Sequence, residues 1–114
     1  MTNVTIPRPI DEMDEALDKW EKAIDELAHA HELYLQSESI FKSWEASTKK
    51  VYMDYGKSAA ASDIETKSQD YWLEKMKEIN TMSIDSEKKK RLCRLAEARW
   101  ETARSKQVTL RNIK

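Results

Sequence analysis

From Ile10 to Tyr34, apolar positions recur at alternating spacings of three and four: Ile10, Met13, Leu17, Trp20, Ile24, Leu27, His31, Tyr34. This is the period of an amphipathic helix with one buried seam, and His31 is its polar member. After Tyr34 the phase slips by one residue, at Gln36-Ser37-Glu38-Ser39. It resumes as Ser37, Phe41, Trp44, Thr48, Val51 and Tyr55. The slip predicts a local overwinding or a bend at 36–39 in one helix spanning about 10–55. Further on, Trp72, Ile79, Ser86, Cys93, Trp100 and Gln107 lie seven apart, with Met82, Lys89, Ala96, Ala103 and Leu110 as their heptad partners.

The punctuation supports helices and little else. Both prolines, Pro7 and Pro9, stand near the start and predict an extended tail over 1–9. Gly56 fits the residue just past a helix, where a left-handed conformation favours glycine. A connector is expected at 56–61. Ser62-Asp63-Ile64-Glu65 matches a capping box, which starts a helix over about 63–82. Asn80 to Ser86 is rich in residues that favour caps and turns, so a break is expected near 83–86, before a last helix over about 86–112.

With a single glycine in 114 residues, a multi-stranded β fold lacks the turns it needs. The expected class is therefore all-α. Two architectures fit: an antiparallel long-helix hairpin, or a three- or four-helix bundle, with coiled-coil-like seams. Two thin helices bury too little surface to be stable alone, so the hairpin requires self-association, most simply as a dimer.

Net charge is −1, but its distribution is uneven. Residues 10–40 carry ten acids and two bases; residues 86–114 carry ten bases and three acids. Pairing the acidic arm with the basic arm would set the orientation of the helices.

Candidate chemistry is sparse. Glu26-x-x-His29 has the spacing of di-iron carboxylate bundles, but those sites need two such pairs and two further carboxylates. No metal site, cofactor or catalytic residue is expected, and the chain does not read as an enzyme. His31, Ser86 and Lys89 are a candidate polar layer in the seam. Cys93, the one cysteine, sits on an apolar face and reads as an inert thiol in a reducing, cytoplasmic compartment. Lys88, Lys89, Lys90, Arg91, Arg94, Arg104 and Arg111 are candidate nucleic-acid contacts, with Arg99 and Lys106 nearby. Trp20, Trp44, Trp72 and Trp100 are core residues by spacing and candidate anchors for a protein partner. There is no apolar run of membrane-spanning length.

In size, helicity and glycine poverty the chain resembles small all-helical accessory proteins of phages and prophages. That resemblance implies a non-enzymatic role: binding a host or phage protein, or assisting DNA transactions.

Overall fold

A computed structural model describes residues 9–112, with side chains from Asp11. The expected tail lies outside the described residues, except Pro9, which is the first residue of a helix. Proline suits that position, since its missing N–H would have no partner there. Three helices follow in order: α1 (Pro9–Asp54), α2 (Ala59–Lys67) and α3 (Asp70–Asn112). The fold is all-α, built on two long helices of 46 and 43 residues.

The turn after α1 is specified residue by residue. Gly56 takes φ +95°. Its N–H donates to Met53 O at 2.9 Å, and the Lys57 N–H donates to Tyr52 O at 3.2 Å. These two bonds form a Schellman motif and satisfy carbonyls at the helix end. Lys57 then does two further things. Its ammonium lies 5.5 Å from the Tyr52 ring centroid. It also pairs with Glu65 of α2 at 2.8 Å.

The start of α2 corrects the capping-box expectation. Its N-cap is Ser58, whose hydroxyl accepts the Ala61 N–H at 3.1 Å. Ser62 is instead inside the helix and fully buried, as is Thr66. Thr66 returns its hydroxyl proton to the Ser62 carbonyl at 2.8 Å. The helix expected over 63–82 is thus two helices, divided at Ser68 and Gln69.

The chain forms two units. One joins the residues up to Ala28 to those from Glu87 onward; the other is His29–Ser86. Within the first, Trp20 meets Trp100 at 5.2 Å between ring centroids. Glu26 pairs with Lys89 at 3.7 Å and Glu12 with Lys106 at 3.9 Å. Partner numbers fall as α1 advances, so the helices are antiparallel. The expected pairing of the acidic and basic arms is therefore present.

The second unit is also antiparallel. Trp44 and Tyr71 lie 4.6 Å apart, and Phe41 and Trp72 6.2 Å apart. Trp72 Nε1 donates to Glu45 Oε2 at 2.7 Å. Gln69 Nε2 donates to the Tyr52 hydroxyl at 2.7 Å, tying the α2–α3 junction to α1.

Two expectations about continuity are corrected. α1 is helical through 36–39 and its seam does not slip. The buried or half-buried positions include Met13, Trp20, Leu27, Tyr34, Phe41 and Thr48, seven apart, with Ala16, Ala23, Ala30, Ser37 and Trp44 between them. Leu17 is half-buried, but Ile24 is 44% exposed and His31 is exposed. α3 is helical through 83–86, because Ser83 and Ser86 are seam residues there and not turn residues. Ser86 is buried. The heptad frame read from Trp72 to Gln107 matches the buried and half-buried positions of α3, while its last member, Leu110, is exposed.

Candidate interaction surfaces

Among the described residues, four apolar side chains are buried: Ala30, Phe41, Ile79 and Ala103. Fifteen large hydrophobic residues are exposed. In a stable monomer, scattered exposed leucines are ordinary, but a core dominated by two alanines is not. The imbalance comes from the seam itself. Alanine lets the backbones approach, yet each alanine removes little apolar surface from water.

In the His29–Ser86 unit, Leu33 and Ile40 stand seven apart on one flank of α1, 43% and 68% exposed. Ile40 lines a shallow groove floored by Phe41 and Ile79 and bordered by Tyr71 of α3. Lys75 sits at its rim, 3.1 Å from Glu78, which raises the ammonium's affinity for its proton. Beside the seam, the Glu38 carboxyl is held below its usual range, first by the Tyr34 hydroxyl and then by Lys42 at 3.0 Å.

In the other unit, Ala16, Ala96 and Ala103 floor a second groove, with Glu12, Lys19 and Lys106 on its rim. Most charge points elsewhere. Over 11–28, α1 carries eight acids and two bases, a net of −6. Over 87–112, α3 carries nine bases and three acids, a net of +6. Yet the interhelical pairs Glu26–Lys89 and Glu12–Lys106 are both longer than 3.5 Å, each contributing about 0–1 kcal/mol. Asp14, Asp18, Glu21 and Asp25 are exposed, and so are Lys88, Lys90, Arg91, Arg94 and Arg111. Arg104 is exposed as well, its guanidinium 5.7 Å over the Trp100 ring. The arms lie together, but much of their charge is not spent on each other.

The remaining candidates resolve as follows. His31 faces outward, so the expected polar layer lacks its central member. Ser86 is buried and Lys89 is the half-buried partner of Glu26. Trp20 and Trp100 pack on each other, and Trp44 and Trp72 belong to the aromatic cluster around Phe41, all four half-buried. Cys93 is a free, half-buried thiol on the α3 seam. No group of three or more His, Cys, Asp or Glu among the described residues could hold a metal ion. No described helix is long and apolar enough to cross a membrane. What sequence reasoning missed were Ala16, Ala23 and Ala30, whose seven-residue spacing was the available signal. Comparison with protein families, with curated proteins and with solved structures gave no match to this chain.

Proposed function

We propose that this is a non-enzymatic helical interaction protein, which assembles with itself through its long helices and presents the assembly to a partner protein. One observation carries the reading. The described side chains leave fifteen large hydrophobics exposed against a core of four buried apolar residues. Covering part of that surface supplies the stabilisation that the alanine-rich seams do not. The single cysteine suits a reducing, cytoplasmic setting, and the role is of the kind its resemblance to phage and prophage accessory proteins implies. Sedimentation equilibrium tests it: a dimer is expected at low micromolar concentration. A folded monomer there, with undiminished helicity on dilution, would refute self-association.

A second reading has its own observation. Lys88, Lys90, Arg91, Arg94 and Arg111 are exposed and form no ion pair among the described residues, which suits a nucleic-acid accessory protein. Fluorescence anisotropy with labelled duplex DNA separates the two. Binding that falls steeply with added salt supports phosphate contact, and no binding at low salt removes it.

A further inference from the structure

In the unit formed by the start of α1 and the end of α3, charge sorts by direction around each helix. Glu12, Glu15 and Lys19 of α1 line the alanine-floored groove, and so do Arg99, Thr102 and Lys106 of α3. These residues stand one before or two after the seam residues Met13, Trp20, Trp100 and Gln107, so that flank of both helices faces one side of the unit. Residues one and four after a seam residue of this series face the opposite side. Those five after it point away from the partner helix.

On α1, the positions one, four and five after Met13 and Trp20 are Asp14, Leu17, Asp18, Glu21, Ile24 and Asp25; Asp11 and Ala28 continue the stripe. It contains no base. From Lys88 onward, the groove-side and outward positions of α3 carry Lys88, Arg91, Leu92, Leu95, Arg99 and Lys106. Ala98, Thr102 and Ser105 lie between them, and Thr109 and Asn112 beyond. This second stripe contains no acid, because Glu87, Glu97 and Glu101 all lie on the opposite flank of α3. Each stripe also carries apolar surface: Ile24 is 44% exposed, Leu92 53% and Leu95 46%. Asp18, Asp25, Arg91 and Arg99 are exposed and form no ion pair among the described residues. Lys106 reaches Glu12 at 3.9 Å with its side chain still 64% exposed.

The acidic stripe lies on the flank away from the groove and the basic stripe on the groove flank, so the two point in opposite directions. We propose that copies of this chain associate head to tail, the acidic stripe of one α1 docking on the basic stripe of the next copy's α3. Within the chain Trp20 meets Trp100 and Glu26 meets Lys89, which sets the levels of the antiparallel helices. A neighbour displaced sideways without axial shift meets α1 at those same levels. Asp18 then faces Arg99, Asp25 faces Arg91, and Ile24 enters beside Leu92 and Leu95. Because the stripes are on opposite faces, a two-fold axis cannot join both at once. The contact is heterologous: a pair of copies keeps one free stripe of each sign, so association continues beyond two. A phosphate polymer fits less well. It would pair with the bases but set its charged backbone over Leu92 and Leu95, and it gives the acidic stripe no occupant. A second copy covers both stripes with opposite charge and brings Leu17 and Ile24 to the two leucines. The inference rests on the self-association proposed above and adds to it the faces, the register and the open symmetry.

Two double variants test it by sedimentation equilibrium. D18K/D25K spoils the acidic stripe and leaves the basic one intact, while R91Q/R99Q weakens the basic stripe and leaves the acidic one intact. None of the four is a seam residue. The native chain should pass from the dimer expected at low micromolar concentration to larger species as concentration rises. D18K/D25K alone should associate about tenfold more weakly, and R91Q/R99Q about severalfold more weakly. An equimolar mixture should form a dimer of near-native affinity and stop there, because one intact stripe of each sign meets and both remaining stripes are spoiled. Circular dichroism reports whether each variant keeps its helicity.

A native chain that stops at a dimer overturns the head-to-tail arrangement and leaves self-association standing, while a monomeric native chain overturns the assembly itself. Helical variants that associate like the native chain put the contact elsewhere. A mixture that fails to recover overturns the pairing of these two stripes. Loss of duplex-DNA binding in R91Q/R99Q with native association assigns the basic stripe to nucleic acid instead. The native chain gives a check that needs no variant. Its dissociation constant should rise about severalfold between 50 mM and 500 mM NaCl, and salt-insensitive association counts against the proposal.

Discussion

Two serines four residues apart on α2 have opposite energetic roles. The Ser58 hydroxyl accepts the Ala61 N–H and closes the helix start. The Ser62 hydroxyl is buried with no hydrogen-bond partner. Ser58→Ala should cost about 1 kcal/mol, the usual value of a lost N-cap. Ser62→Ala should be neutral or stabilising, because it removes a desolvated group that gains nothing in return. Urea midpoints of the two variants, measured side by side, decide this. The sequence suggested the reverse assignment, since Ser62-Asp63-Ile64-Glu65 satisfies the capping pattern. A pattern cannot report that the chain has already turned helical at Ala59. Glu38 gives a pH signature at the same scale. Its folded pKa is lowered by Tyr34 and then Lys42. Its contribution is therefore present above the unfolded carboxylate value and lost as pH falls through the lowered one. Glu38→Gln should flatten that acid limb of the stability profile. Denaturation midpoints between pH 2 and 7 test it.

At the scale of helices, Phe41 is the position on which α1 most depends in the His29–Ser86 unit. It is 7% exposed, with the Trp44 and Trp72 rings at 6.0 and 6.2 Å. Phe41→Ala should cost about 3–5 kcal/mol. The measurement is equilibrium denaturation followed by tryptophan fluorescence, and a loss below 1 kcal/mol would show that this cluster is not the core of the unit. The α3 seam was legible because Trp72, Ile79, Cys93 and Trp100 are large or apolar and stand at multiples of seven. The α1 seam was only half legible. Met13, Trp20, Leu27 and Tyr34 were identified, but Leu17 and Ile24 outweigh Ala16 and Ala23 on any scale of hydrophobicity. Close backbone approach favours the small residue instead. Ser83 and Ser86 misled for the same reason: a small polar residue reads as a turn former, yet at a helix contact its size is what fits.

Across the whole molecule, the charge asymmetry was visible along the sequence, though not in its net of −1, and it led to the expected pairing of the two arms. Not visible was the direction in which each charge points around its helix, which decides whether the arms neutralise each other or display their charge. Counting along a chain gives position, while the azimuth needs the correct seam, and the seam was shifted by one residue at Leu17, Ile24 and His31. If assembly supplies stability, the thermal midpoint should rise with protein concentration across a hundredfold range, as mass action requires. A concentration-independent midpoint in scanning calorimetry would remove that coupling. The unbroken heptad frame also constrains how this chain can change length. Losing one residue after Gln36 would rotate Phe41 and Trp44 by about 100° relative to Ala30 and Tyr34, taking the aromatic cluster off its face. Losing seven would return the next seam residue to nearly the same direction. Within that unit, insertions and deletions in α1 are tolerated in steps of seven, and a matching step in α3 would keep the opposing rows in register.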